Sequence, residues 1–144
     1  MKLFLLAAAA LMLPAADVGE MKTVYLLPMS NGLDQFLAIK LTSAAVIQVV
    51  TDPKKADSIL TDHIGTAFEQ KLDELYGKKQ KDEDSARTGM QNASRGRGAI
   101  FLVDRQTRDV IWSAYERPKS SAPDDMSHTA EKIAQKLEKD RKGK

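Results

Sequence analysis

The sequence contains no cysteine, one tryptophan and two histidines, and its positive and negative charges almost cancel. Without cysteine the chain has no disulfide, no thiolate metal ligand, no thiol nucleophile and no attachment site for the lipid of a bacterial lipoprotein. A formal net charge of +2 at pH 7 gives no strong electrostatic reason to bind nucleic acid or anionic lipid. Such a chain must fold by burying apolar side chains.

Motifs that mark common enzyme classes are also missing from the sequence. There is no Gly-x-Ser-x-Gly elbow of a serine hydrolase. Residues 77–79 (Gly-Lys-Lys) are not a phosphate-binding loop, because Leu72 stands where that motif requires a second glycine. Neither His63 nor His128 has a second ligand at the spacing of a zinc site. We therefore predict no catalytic residue, no cofactor and no metal site.

The amino-terminal stretch is the most informative part of the chain. Lys2 precedes eleven apolar residues, 3–13, and a proline and two alanines close the run. A short basic start, an apolar centre and small residues at the end are typical of a secretory signal peptide. A permanent membrane-spanning helix needs about 20 apolar residues. Residues 1–16 are therefore predicted to direct export to the periplasm or the medium and to be cleaved off. The alternatives are a buried amino-terminal helix and a start of synthesis at Met21.

Removing these sixteen of the 144 residues leaves 128, which is enough for one compact domain. Residues 17–144 are predicted to form a single α/β domain with a polar insertion at 77–97. Only Ala86, Met90 and Ala93 are apolar in that segment. We expect the segment to be flexible and its deletion to leave the fold intact.

The hydropathy pattern predicts five strands and three main helices. Apolar runs predict strands at 23–29, 46–50, 58–64, 99–103 and 110–115, and helical spacing of apolar residues predicts helices at 33–44, 66–76 and 126–142. Thr66 and Glu69 match a capping box at the second helix. The first strand–helix–strand unit predicts a parallel crossover, and the last two strands predict a hairpin. The fold class is therefore α/β (α+β), with one small mixed sheet of about five strands and three helices packed on it.

Five aspartates stand at predicted strand ends, and an active site would require some of them to converge. They are Asp52, Asp57, Asp62, Asp104 and Asp109. With His63 they define one alternative, an envelope enzyme that uses paired carboxylates as acid and base. Aspartates at such positions are more often turn formers. His63 is interpreted as a strand residue near solvent, and His128 as part of the acidic first turn of the last helix.

Three further features have structural interpretations that we prefer. Residues 95–98 (Arg-Gly-Arg-Gly) lack interleaved aromatic residues and are predicted to be a solvated loop end rather than a nucleic-acid contact. Residues 92–94 match a glycosylation sequon that most bacteria leave unmodified. Trp112 and Tyr115 lie on opposite faces of one predicted strand. Core packing is expected for one face, and a binding surface is the alternative.

Short motifs give the chain a resemblance to a group of small envelope domains. They are residues 26–29 (Leu-Leu-Pro-Met) after the first strand, the pair Ala56 and Asp57 before a later strand, and residues 110–112 (Val-Ile-Trp) in the hairpin. In these features the chain resembles the small α/β domains of bacterial envelope proteins, such as the N-terminal domain of the Tol translocation protein and the curli-secretion lipoprotein group. It also resembles uncharacterised exported proteins of soil bacteria. The resemblance covers most of residues 22–140 and implies an α/β domain that binds other envelope components without catalysis.

We therefore expect a non-catalytic, exported binding or adaptor module of the bacterial cell envelope. It would contact its partner through a sheet edge, as in strand addition, or through the 77–97 segment. The expected partner is another envelope protein or a second copy of the chain, with no nucleic acid, metal or permanent membrane anchor. Two alternatives stay open, a self-assembling structural subunit and the enzyme with strand-end aspartates and His63.

Overall fold

Five strands form one mixed sheet in the order β2-β1-β3-β4-β5. The computed structural model describes residues 17–77 and 98–143. The strands are β1 (Thr23–Leu26), β2 (Gln48–Val49), β3 (Ser58–Thr61), β4 (Ala99–Asp104) and β5 (Val110–Tyr115). The helices are α1 (Leu33–Ser43), α2 (Thr66–Tyr76) and α3 (Pro123–Lys142). The predicted α/β class, with one mixed sheet and three main helices, is confirmed.

β1 lies between two parallel neighbours, next to the edge strand β2. Thr23 pairs with Gln48 of β2, and Val24 pairs with Ser58 of β3. β4 runs antiparallel to both β3 and β5. The predicted parallel crossover through α1 and the predicted hairpin of β4 and β5 are therefore confirmed.

Helices cover both faces of the sheet, but unequally. On one face α1 and α3 pack against each other and enclose the larger core, in which Leu37, Leu102 and Ile133 are almost completely buried. On the other face α2 buries Phe68 and Leu72 in a smaller core. Each large apolar side chain that is fully buried contributes roughly 1.5–3 kcal/mol. Most of the apolar stabilisation therefore lies on the face of α1 and α3.

The segment that follows the predicted signal peptide is part of the larger core. Val18 and Met21 are buried, and Asp17 caps the short 3₁₀ helix Val18–Glu20. The guanidinium of Arg141 donates hydrogen bonds to the carbonyl oxygens of Val18, at 3.0 Å, and Met21. A chain that began at Met21 would lose Val18 from this core.

Three predicted strands are shorter than their apolar runs. β1, predicted at 23–29, ends at Leu26. β2 begins at Gln48 because the N–H of Val46 binds the Leu41 carbonyl and Ala45 has a positive φ of 51°, so the chain is still turning out of α1 there. β3 ends at Thr61, and His63 follows the strand rather than lying in it. The prediction that His63 is a strand residue is therefore wrong.

The predicted capping box of α2 is also wrong. The N-cap is Gly65, with no side-chain cap bond, and the Glu69 carboxylate binds Arg108 at 2.8 Å. Arg108 also contacts Asp73 at 2.9 Å and the Gly77 carbonyl at 3.2 Å. Glu69 therefore joins α2 to the β4–β5 hairpin instead of capping its own helix.

Several sequence predictions lie outside the described residues. They concern the signal peptide at 1–16, residues 78–97 of the predicted insertion and the sequon at 92–94. Gly77, the first residue of that insertion, ends α2 and accepts the bond from Arg108. Within the described ranges, none of the helices combines the length and the apolar composition needed to cross a bilayer.

Candidate functional site

The strand-end aspartates divide between two ends of the sheet. Asp57 and Asp104 lie at the same end, because Ser58 pairs with Asp104, and Asp62 lies at the other end of β3. Asp52, Asp57 and Asp104 accept hydrogen bonds from backbone amides at 3.0, 3.1 and 2.8 Å, and Asp109 is exposed after the same turn. The four residues of β3 extend for about 13 Å at 3.3 Å per residue, and they separate Asp57 from Asp62. These carboxylates hold turns and loops, which is the interpretation that the sequence favoured.

Asp62 and His63 form a hydrogen-bonded pair just after β3. Nδ1 of His63 lies 2.8 Å from Oδ1 of Asp62, and Oδ2 of Asp62 accepts the N–H of Ser30 at 2.9 Å. Burial raises the pKa of Asp62, but the hydrogen bonds from His63 and Ser30 outweigh burial and hold the pKa below its usual value. Asp62 is therefore stabilised as a carboxylate.

This pair lies at the edge of the sheet where the segments after two neighbouring strands turn towards opposite faces. β1 and β3 are adjacent and parallel, and the helices that follow them cover opposite faces of the sheet. Asp62 connects the two diverging loops, because it follows β3 and binds Ser30 in the loop after β1. Both of its oxygens are engaged by protein groups. His128, by contrast, is exposed on α3. Among residues 17–77 and 98–143, no three His, Asp or Glu side chains are placed to hold a metal ion.

β5 ends the sheet on one side, and among residues 17–77 and 98–143 no further strand pairs with its outer edge. It has six residues, Val110–Tyr115, and none of them is charged or proline. The N–H of Glu116 donates to the Gly98 carbonyl at 2.9 Å, and facing residues in an antiparallel pair alternate between bonded and non-bonded positions. The backbone groups of Trp112 and Ala114 therefore face β4, and those of Ser113 and Tyr115 face away from the sheet.

The side chains of β5 divide between core and solvent. Trp112 is buried in the larger core, and its Nε1–H donates to Oδ2 of Asp140 on α3 at 2.7 Å. Tyr115 is 61% exposed and Val110 is 45% exposed. The expectation that one face of this strand packs in the core is confirmed by Trp112, and Tyr115 on the opposite face is exposed to solvent.

Gly98 lies at the open end of the hairpin, where β4 begins and β5 ends. Its φ is +96°, and a Cβ atom at this position would lie 2.6 Å from the carbonyl oxygen of Glu116. Only glycine fits such a close approach of two backbones. Gly98 is the one described residue of the 95–98 stretch, and it has a structural role in pairing β4 with β5.

β2 ends the sheet on the other side and offers little to a further strand. The N–H of Gln48 donates to the Lys22 carbonyl at 3.2 Å, and that of Val50 donates to the Val24 carbonyl at 2.9 Å. Both amides face β1, so only Val49 between them turns its backbone outward. Very short edge strands are one of the means by which proteins prevent unwanted pairing.

No family model matches the chain, and neither a curated protein nor a solved structure shows significant similarity to it. The function must therefore be inferred from the surfaces of the molecule itself. Sequence patterns identified Trp112 and the hairpin but missed the open edge of β5. The order of strands in a sheet is not encoded in the hydropathy of any single strand.

Proposed function

We propose that this chain is a non-catalytic binding module exported to the bacterial cell envelope, where it holds a partner protein by adding a strand to β5. The observation that carries this proposal is the outward-facing backbone of Ser113 and Tyr115 on an uncharged strand. In strand addition, backbone hydrogen bonds supply the affinity and alternate side chains supply the specificity.

An edge such as β5 is expected to be covered in the working protein. Exposed, apolar edge strands pair readily with other chains, and natural proteins protect them with lysine, proline or a bulge. The hairpin does contain a bulge: the register skips Ile111, so the extra residue lies in β5 itself, near the beginning of the strand. Ser113 and Tyr115 continue in regular register with β4, so they remain competent to pair.

The edge is also held rigidly, which favours binding because less freedom is lost on association. Trp112 is tied to Asp140 in the middle of the strand. At the end of the strand, the Glu116 carboxylate accepts from Nζ of Lys136 at 2.6 Å. Both contacts fasten β5 to α3, so its outer edge is preorganised.

Site-specific photo-crosslinking in cells tests the edge directly. A photoreactive amino acid is introduced at Ser113 in one variant and at Gln48 in the matched control, since both residues are exposed and lie on the two outer strands. We expect a discrete protein adduct from the Ser113 position and none from the Gln48 position. Adducts of equal yield from both positions, or none from Ser113, would contradict the proposal.

Cell fractionation tests the predicted location. We expect the chain in the periplasmic fraction, with a mature amino terminus near residue 17 by intact-protein mass spectrometry. A full-length chain confined to the cytoplasm would contradict export, but it would leave the edge of β5 as a binding surface.

A further inference from the structure

We infer that the strand added to β5 belongs to a second copy of this chain, paired antiparallel across a two-fold axis at Ser113. This inference rests on the strand-addition site proposed above and names its occupant. It is carried by three features of β5 and its surroundings: the direction of the backbone groups, the charges that flank the strand and the length of the opposite edge.

The backbone directions define the position of the axis. Ser113 faces outward near the centre of β5, so on a two-fold axis it meets its own copy and each of the two residues donates and accepts one backbone hydrogen bond. Tyr115, two residues further along, also faces outward. Ile111 on the other side is the residue that the hairpin register skips, and it packs against the larger core, so the regular pairing surface runs from Ser113 towards Tyr115.

The charges beside the strand fit the same axis. Asp109 and Arg117 are both exposed, and each lies four residues from Ser113, on opposite sides. An antiparallel two-fold axis brings the end of β5 that carries Asp109 in each copy towards the end that carries Arg117 in the other, so opposite charges meet at both ends of the interface. The uncharged strand between them carries nothing that would repel its own copy.

The opposite edge explains why such pairing stops at two copies. Joining β5 to β5 gives one continuous ten-stranded sheet whose two outer strands are both β2. β2 has only two residues, so it offers no further pairing edge. A two-fold interface of this kind is closed, whereas an unrelated extended strand on β5 would expose a new edge of its own.

The absence of cysteine allows a direct test of the axis. Ser113→Cys introduces a single thiol, and facing residues of a bonded antiparallel pair have Cα atoms about 5.5 Å apart, within the range that a disulfide spans. We expect mild oxidation to convert this variant into a covalent dimer in high yield. The matched control is Ser121→Cys in the exposed loop before α3, which we expect to remain monomeric in non-reducing gel electrophoresis.

Charge reversal tests the pairing of Asp109 with Arg117. Asp109→Arg and Arg117→Asp each replace two attractive contacts with repulsive ones, and each is expected to raise the dimer Kd about tenfold in sedimentation equilibrium. The double variant restores opposite charges at both ends, and its Kd is expected to return to within about twofold of the original. Both side chains are exposed, and circular dichroism serves as the check that all three variants fold.

The outcomes separate this inference from the proposed function. A monomeric chain whose Ser113 position crosslinks to a different envelope protein would overturn the second copy as occupant and leave strand addition intact. A dimer that survives both single reversals and does not form the Ser113→Cys disulfide would overturn the β5 interface. A monomer with no adduct at Ser113 would overturn both proposals.

Discussion

The two outer strands of the sheet differ in the properties that govern pairing with another chain. β2 has two residues and turns only Val49 outward, whereas β5 has six residues and turns Ser113 and Tyr115 outward. The sheet therefore ends in β2 on one side, which is too short to pair with a further strand, and in β5 on the other side, which is long enough to do so. The bulge at Ile111 affects only the beginning of β5, so Ser113 and Tyr115 give this edge more backbone that is available for pairing than β2 has.

Local backbone geometry produces this difference. After α1 the chain is still turning at Ala45, which has a positive φ, so its pairing with β1 as strand β2 begins late. That pairing ends before the 3₁₀ helix Pro53–Lys55, which Asp52 caps. β5 instead belongs to a hairpin, in which Gly98 lets the ladder continue to Glu116.

Proline substitutions on β5 are expected to give the largest effects and to separate its inner from its outer backbone. Ala114→Pro removes an N–H that faces β4 and is expected to lower the free energy of unfolding by about 3 kcal/mol. Ser113→Pro removes an N–H that faces outward and is expected to cost about 1 kcal/mol while abolishing dimerisation. Urea denaturation of dilute protein measures both. Equal losses from the two variants would show that the assigned backbone directions are wrong.

Lysine substitutions compare the two edges directly. Ser113→Lys places two like charges at the axis and is expected to raise the dimer Kd about fivefold. Gln48→Lys adds the same charge to β2 and is expected to leave the Kd unchanged. Analytical ultracentrifugation of both variants provides the comparison, and an effect of similar size from Gln48→Lys would remove the distinction between the edges.

The contact between Trp112 and Asp140 is expected to have a smaller effect on stability. Trp112→Phe keeps an aromatic ring in the core but removes the donor to Asp140, and should lower the free energy of unfolding by about 1 kcal/mol. Asp140→Asn keeps an acceptor at the same position and serves as the milder control. Thermal denaturation measures both, and a stability of Trp112→Phe equal to that of the unmodified chain would show that this contact does not anchor β5.

The smallest effect is expected from Glu116 and depends on pH. The pKa of Glu116 lies below its usual 4.5, and the hydrogen bond from Lys136 is the main cause. Slight burial raises the pKa, and the charges of Lys136, Lys132 and His128 lower it further. The folded chain therefore prefers the carboxylate, so its contribution to stability is present above pH 4.5 and is lost as the pH falls through the lowered pKa.

Glu116→Gln removes this contribution at neutral pH, where we expect a loss of under about 1 kcal/mol because the pair is partly exposed. The stability difference between Glu116→Gln and the unmodified chain should therefore shrink as the pH is lowered from 6 to 3. Urea denaturation across this pH range measures the difference. A gap that widens on acidification would contradict the role assigned to Glu116.

Local sequence signals predicted the parts of the fold that depend on local chemistry. The stripe of Leu33, Leu37 and Leu41 identified α1. The hairpin followed from two apolar runs with a short polar connection. Each of these signals is contained within a few residues, where spacing and capping decide the structure.

The parts that the sequence did not reveal depend on partners far apart along the chain. Glu69 binds Arg108 rather than capping α2, and Trp112 binds Asp140 on a helix that begins after the sheet is complete. The open edge of β5 exists because the hairpin adds to β3 on the side away from β1. Spacing within one segment carries no information about such choices, so the candidate site became visible only in the structure.

Amide hydrogen exchange at single-residue resolution tests the central claim most directly. Within a single copy of the chain, the N–H groups of Ser113 and Tyr115 face away from the sheet and those of Trp112 and Ala114 face β4. If β5 pairs with a second copy, Ser113 and Tyr115 should become protected as the protein concentration rises through the dimer Kd, while Val49 on β2 stays unprotected. Fast exchange of Ser113 and Tyr115 at every concentration, beside protected Trp112 and Ala114, would contradict the account.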